Sequence, residues 1–286
     1  MNAVNMAFRA GFARTVLISS PAVQQIRQAV EAHWRQIFNF AYRMTLDYDR
    51  ARAILEEVYV QVVLRTGEGA AGALGPRLMR MAGKLAEREA KDLPEITFDM
   101  LDETLRSDVT RRDRIATLTE PERDSLLWEL KQGCMTAVVN CLPPSERVAF
   151  VLSVVLGFGD EEAAGVLSIS GSAFKVRLSR ARVKVTDYLA SRCEQVDPRN
   201  PCSCPSRLEV ALDKGFVSAD AADRHRPSFG RYGSSGNRED APLRDVVAIY
   251  QSLPDPDMPA DLPEALIAKL EETRTALIAG GRRECH

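Results

Sequence analysis

The stretch from Ser170 to Val185, SGSAFKVRLSRARVKV, has one way to bury an apolar surface. Phe174, Leu178, Ala181 and Val185 recur at i, i+4, i+7 and i+11, which is one face of an α-helix. The same sixteen residues hold five cations, Lys175, Arg177, Arg180, Arg182 and Lys184, and no acid. Lys175, Ser179 and Arg182 fall on a second stripe, and Arg177, Arg180 and Lys184 on a third. The helix can pack on one side and present cations and a hydroxyl on the rest. A solvated face is the alternative, but surface helices usually mix signs because like charges at helical spacing repel. This face calls for an anionic partner. The chain as a whole carries a formal net charge of −2, so the positive charge is a local patch and not a uniformly basic coat.

Helical spacing recurs along the chain, and the fold class it predicts is all-α. Pro21 opens a block in which Ile26, Val30, Trp34, Ile37, Phe38 and Ala41 share a face. Ala51, Ile54, Leu55, Val58, Tyr59 and Val62 repeat the pattern after the short link TLDYD. The run TGEGAAGALGP breaks it. Leu78, Met81, Ala82 and Leu85 mark a third helix, so residues 21–91 read as a three-helix bundle. Residues 92–122 are charged and weakly periodic, and read as a linker with one or two helical turns. From Asp124 the signal returns: a helix to the prolines at 143 and 144, another ending at Gly157, a short one over DEEAAGVL, a turn, and the basic helix. A short helix, a tight turn and a basic second helix make a helix-turn-helix suited to the major groove of DNA. Residues 123–192 form this second small domain.

The flanks read differently. Residues 1–20 are a mobile tail without an uninterrupted signal-peptide core. Residues 193–217 are a cysteine-containing extension, and 218–260 a flexible, partly disordered linker from their Gly, Ser, Pro and charge content. Residues 261–286 form a closing helix, from Asp261 to Ala279, and a tail. That helix can dock on the preceding domains, on a regulator, or stay solvated. Composition is ordinary, with 27% charged and 45% hydrophobic residues, and no run reaches the apolar length that spans a bilayer. These features predict a cytoplasmic protein with no membrane partner. A Gly-rich phosphate loop, a nucleophile–base set and a His-rich metal site are all absent from the sequence, which argues against an enzyme.

The stretch LPPSERVAFVLSVVLGFGDEEAAGVLSISGSAFKVRLSRARVKVTDYL resembles region 4 of bacterial sigma-70 factors, of the extracytoplasmic-function (ECF) type. Leu142, Pro143, Arg147, Gly157, Glu162, Ala164, Lys175, Arg177, Leu178, Arg180, Ala181 and Arg182 carry the resemblance. It implies a module that reads the −35 promoter element. Carried over by position, Lys175, Val176, Ser179 and Arg180 face bases. Arg177, Arg182 and Lys184 favour phosphates, and Ser172 lies at the start of the same helix. Val176 stands where the family often has Ser, and Ala173 where it often has Thr.

The first block resembles sigma region 2, which docks on the β′ clamp helices of RNA polymerase and opens the −10 element. The resemblance implies core polymerase as a partner, through β′ and the β flap, with Arg52, Leu55, Glu56, Glu57 and Tyr59 as the contact set. An anti-sigma factor or another regulator is a further implied partner. The family's A-x-D-L-x-Q-E-x-F run is ARAILEEVY here, so Ala53 replaces an acid and Glu56 a glutamine. These departures keep two other readings open: a helix-turn-helix regulator, or a sigma-like protein that binds polymerase or DNA without supporting initiation.

Three cysteines cluster after the basic helix, at Cys193, Cys202 and Cys204, in a segment that also resembles a motif of some ECF factors. No cofactor is required by this reading. Three thiolates can bind Zn²⁺ if a fourth ligand arrives, and His225 and Cys285 are candidates. A redox pair and three reduced thiols in a turn are the alternatives. Cys134 and Cys141, at i and i+7 of one helix, read as small core residues.

Overall fold

The computed structural model describes residues 21–63, 74–105, 113–220 and 242–281. The expected mobile tail and the Gly/Ser-rich centre of the expected flexible linker lie outside them. The helices are α1 (Pro21–Thr45), α2 (Tyr48–Val63), α3 (Leu74–Asp92), α4 (Phe98–Leu105), α5 (Asp113–Ala116), α6 (Glu120–Asn140), α7 (Pro144–Phe150), α8 (Asp160–Leu167), α9 (Gly171–Ala190), α10 (Cys204–Asp213), α11 (Val246–Gln251) and α12 (Leu262–Gly281). Among the described residues the fold is all-α, apart from an isolated parallel bridge between Cys193 and Cys202. The chain divides into two units. The first comprises residues 1–41, 48–85 and 257–286, and the second residues 42–47 and 86–256.

The first unit buries the faces expected from the spacing. Val30, Trp34, Ile37, Phe38 and Ala41 of α1, with Leu78, Ala82 and Leu85 of α3, are buried. So are Ala51, Ile54, Leu55, Val58, Tyr59 and Val62 of α2. The Tyr59 hydroxyl donates to the Ala29 carbonyl at 2.9 Å. Leu55 and Tyr59, expected in the polymerase contact set, are both fully buried inside the bundle. His33 of α1 stands over Gly75, where a Cβ would come within 2.8 Å of the imidazole, so the glycine permits a close approach of α1 and α3. The closing helix α12 is no solvated appendage. Leu262, Leu266, Ile267 and Leu270 are buried, and the helix packs on α2.

The second unit is larger than the expected helix-turn-helix domain. Residues 92–122 contain α4, α5 and the start of α6. Glu122 accepts the Thr119 backbone N–H at 2.7 Å, half of a capping box that starts α6 before Asp124. Phe98 of α4 lies 4.7 Å from the ring of Tyr188 on α9. Asp102 accepts from the Tyr188 hydroxyl at 2.8 Å and pairs with Arg192 at 2.9 Å. The α4 part of the expected linker is therefore docked on the end of the basic helix. An eight-residue helix in which Leu101 is buried offers too little periodicity to be read as a packed element.

Residues 242–256, expected to be flexible, are also part of this unit. Asp245 caps α11 by accepting from Val247 and Ala248. Val246, Ile249 and Tyr250 are buried. A separate cluster joins α6 to α10 through Leu126, Leu127, Leu130, Leu208, Ala211 and Val217.

Candidate nucleic-acid interface

α7 runs into a wide π-type turn over Val151–Val155, where the Leu156 N–H reaches back to the Val151 carbonyl at 3.0 Å. Gly157 then takes φ +74° and turns the chain toward α8, a conformation that favours glycine. Asp160, Glu161 and Glu162 fill the first turn of α8, where negative charge suits the helix dipole. Ser168 ends α8 in the left-handed region, and Ser170 caps α9 by accepting from Ala173 N–H at 3.2 Å. A left-handed stop and a serine cap two residues apart account for the tight turn between the two helices.

On α9, Phe174, Leu178, Ala181 and Val185 are buried, as their spacing requires. Ser172, Val176, Ser179, Arg180 and Val183 lie on the opposite side and are exposed, Val176 by 51% and Val183 by 56%. Lys175 and Arg182, both exposed, flank this crest on one side. Arg177, half-buried, and Lys184 flank it on the other. A central ridge of hydroxyl, apolar and arginine side chains with cations along its edges has the layout of a major-groove helix, whose centre reaches base edges and whose edges meet phosphates.

Lys184 differs from the other cations. Its ammonium pairs with Glu146 of α7 at 2.7 Å, so part of its charge is spent on holding α9 to α7. Sequence spacing cannot signal this pair, because the partners are far apart in the chain. Arg147, beside Glu146, is buried and organises the support beneath the helix-turn-helix. Its guanidinium donates to the carbonyls of Met44 (2.8 Å), Asn140 (2.7 Å) and Leu142 (3.2 Å), and to the Asn140 side-chain oxygen (2.9 Å). Burial lowers its pKa to about 10, which leaves it charged at neutral pH.

A family model for sigma-70 region 4 matches residues 132–185, from within α6 to Val185 of α9. The ECF RNA polymerase sigma factor SigE of Mycolicibacterium smegmatis is 22% identical to this chain over 169 residues, 59% of the chain and 63% of that protein. Over residues 132–185 the chain is similar to sigma-70 region 4. Its ECF-type relative is spanned over less than two thirds of its length. All eight residues expected to face DNA lie on α9 within the region 4 match and its last helix.

In the first unit, Arg52, Glu56 and Glu57 lie along the outer edge of α2, with Arg52 and Glu57 exposed and Glu56 half-buried. Arg52 pairs with Glu56 at 3.0 Å. Lys269 of α12 also hydrogen-bonds Glu56. Burial opposes ionisation of Glu56, but the hydrogen bonds from Lys269 and Arg52 outweigh it and hold the carboxyl below its ordinary range.

The cysteine segment that follows region 4 is ordered. Glu194 N–H donates to the Cys202 carbonyl at 3.0 Å, and Cys202 N–H to the Arg192 carbonyl at 3.1 Å. The Asn200 amide donates to the Ala190 carbonyl at 2.8 Å and the Cys193 carbonyl at 3.2 Å. Cys193 is buried, and burial pushes its thiol up to about 11. Burial likewise raises Cys204 and, with the neighbouring Cys193 and Cys202 thiols, Cys134. Cys134 thus borders the cluster, beyond its expected role as a core residue. Among the described residues no three His, Cys, Asp or Glu side chains are grouped to hold a metal ion; His225 and Cys285 lie outside those residues. No helix among the described residues is long and apolar enough to cross a membrane.

Proposed function

We propose that the chain is an ECF-type transcription initiation factor that joins core RNA polymerase and reads promoter DNA with α9. The observation that carries this reading is the crest of Ser172, Val176, Ser179, Arg180 and Val183 flanked by Lys175 and Arg182, set on a buried apolar face within the region 4 match. In this reading Arg180 and Ser179 hydrogen-bond base edges of the −35 element. Val176 offers an apolar contact to a thymine methyl, and Lys175, Arg177 and Arg182 hold phosphates. Arg52, Glu56 and Glu57 on the outer edge of α2 meet the polymerase β′ clamp, and region 4 meets the β flap. Its mechanism is binding and DNA remodelling, with no chemical step of its own.

The deciding experiment is run-off transcription with purified core polymerase on a genomic promoter library. Transcripts that depend on this protein and share a −35 motif are expected. Polymerase binding without transcripts would assign it instead as a sigma-like regulator. DNA binding without polymerase association would leave a helix-turn-helix regulator.

Two substitution series resolve the roles on α9. Arg180→Ala should cost about 1–3 kcal/mol of specific promoter binding and relax the preference between cognate and scrambled −35 duplexes. Lys175→Ala and Arg182→Ala should weaken binding to both duplexes alike, each lowering the salt-dependence slope by about one. Lys184→Ala should change that slope less, because Glu146 already engages its ammonium. Fluorescence anisotropy across a salt series reads both effects. An unchanged duplex preference in Arg180→Ala would remove it from the base-reading set.

A further inference from the structure

We propose that α12 is an intramolecular latch that engages Glu56 on the polymerase-docking edge of α2 and holds the protein back from core polymerase. The proposal rests on the region 2 reading above. α12 packs on α2 and presents Leu262, Leu266, Ile267 and Leu270, all buried, toward the unit. Its Lys269 engages Glu56, the same carboxylate assigned to the polymerase contact and already shared with Arg52. An internal cation thus takes an acid that a partner would need. The Lys269 pair is exposed enough to contribute little to binding energy by itself. The buried leucines and Ile267 supply the hold, and Lys269 sets the register.

The latch belongs to the same chain, so it competes at a high effective concentration without needing high intrinsic affinity. Polymerase then binds only the fraction of molecules in which α12 has swung away, and the apparent dissociation constant rises by the inverse of that fraction. The protein so built is quiet until something outcompetes or removes its C-terminal helix.

The test uses the full-length protein and purified core polymerase. Leu270→Asp places a charge in the buried face of α12, and Lys269→Glu sets a like charge against Glu56. Leu270→Asp should bind core polymerase about tenfold more tightly than the unaltered chain, and Lys269→Glu should shift affinity in the same direction by less. Amide hydrogen exchange on the unaltered protein supplies a second readout. Residues 262–276 should lose protection when polymerase binds. Equal or weaker binding by both variants, with 262–276 still protected in the complex, would overturn the latch and make α12 a permanent part of the docking-competent bundle. Should Leu270→Asp lose helical structure, exchange in the unaltered chain decides alone. Failure of the unaltered chain and both variants to bind polymerase would overturn the region 2 reading and the latch with it. Tight binding by the unaltered chain without gain in the variants would overturn only the latch.

Discussion

Tyr250→Ala is expected to destabilise the second unit by about 4 kcal/mol, within the range that a single buried aromatic costs. The ring is fully buried and meets Phe150 edge-on, with centroids 4.9 Å apart and planes at 82°. Its hydroxyl donates to the Met135 carbonyl at 3.0 Å. Removing it leaves a cavity beneath the helix-turn-helix and takes an additional donor from the Met135 carbonyl of α6. Tyr250→Phe keeps the ring and should cost only about 1 kcal/mol, the net worth of one hydrogen bond. Urea unfolding of the two variants separates packing from hydrogen bonding. A Tyr250→Ala protein with unaltered stability would mean that residues 246–256 are not held against region 4 in solution. The prediction also carries a functional consequence. Residues far beyond region 4 in sequence stabilise its supporting core, so a truncation before Asp245 should weaken DNA binding without touching α9.

Arg147→Ala is expected to cost about 3–4 kcal/mol, because it removes a buried guanidinium that donates to three carbonyls and the Asn140 side chain. The guanidinium ties together the end of α1 through Met44, the end of α6 through Asn140, and the α6–α7 turn through Leu142. Arg147→Lys keeps the charge but offers one ammonium in place of a planar fork, and should recover less than half of the loss. Arg43 supports the same corner. It donates to Thr136 at 2.6 Å and to the Pro254 carbonyl at 2.7 Å, and Asn140 in turn donates to the Arg43 carbonyl at 3.0 Å. Effects of Arg147 and Asn140 substitutions should therefore be strongly non-additive, as in any shared hydrogen-bond network. A double-mutant cycle with additive losses would show that the two act independently.

Arg147 is one of the positions that carried the resemblance to region 4. Its part in that pattern is structural: it lies beneath the DNA-facing helix and contacts none of the exposed crest. Glu146, one residue before it, escaped the sequence reading altogether. The only signal that could have raised it is an acid opposite an otherwise uniformly basic helix, and its partner, Lys184, is 38 residues away.

The amino-acid sequence by itself determined the helices and their inward faces, and it determined the basic crest of α9. Phe174, Leu178, Ala181 and Val185 went inside because 3.6-residue periodicity leaves them no other common face. For the same reason Val30, Trp34, Ala51, Val58 and Leu78 went inside. The capped turn at Ser168 to Ser170 is local, and local chemistry is legible in sequence. What only the tertiary structure decided is which short elements are docked and which charges are already spent. α4 and α11 are too short for periodicity to reveal their burial. They are held by partners distant in the chain, Asp102 by Tyr188 and Arg192, and Tyr250 by Phe150 and Met135. Leu55 and Tyr59 share a helix with Arg52 and Glu57. Only three-dimensional packing separates the residues that build α2 into a bundle from those it leaves on its outer edge. The placement of α12 on α2 follows from the same cause: an amphipathic helix declares that it must bury one face, and the surface that receives it is chosen by the rest of the fold.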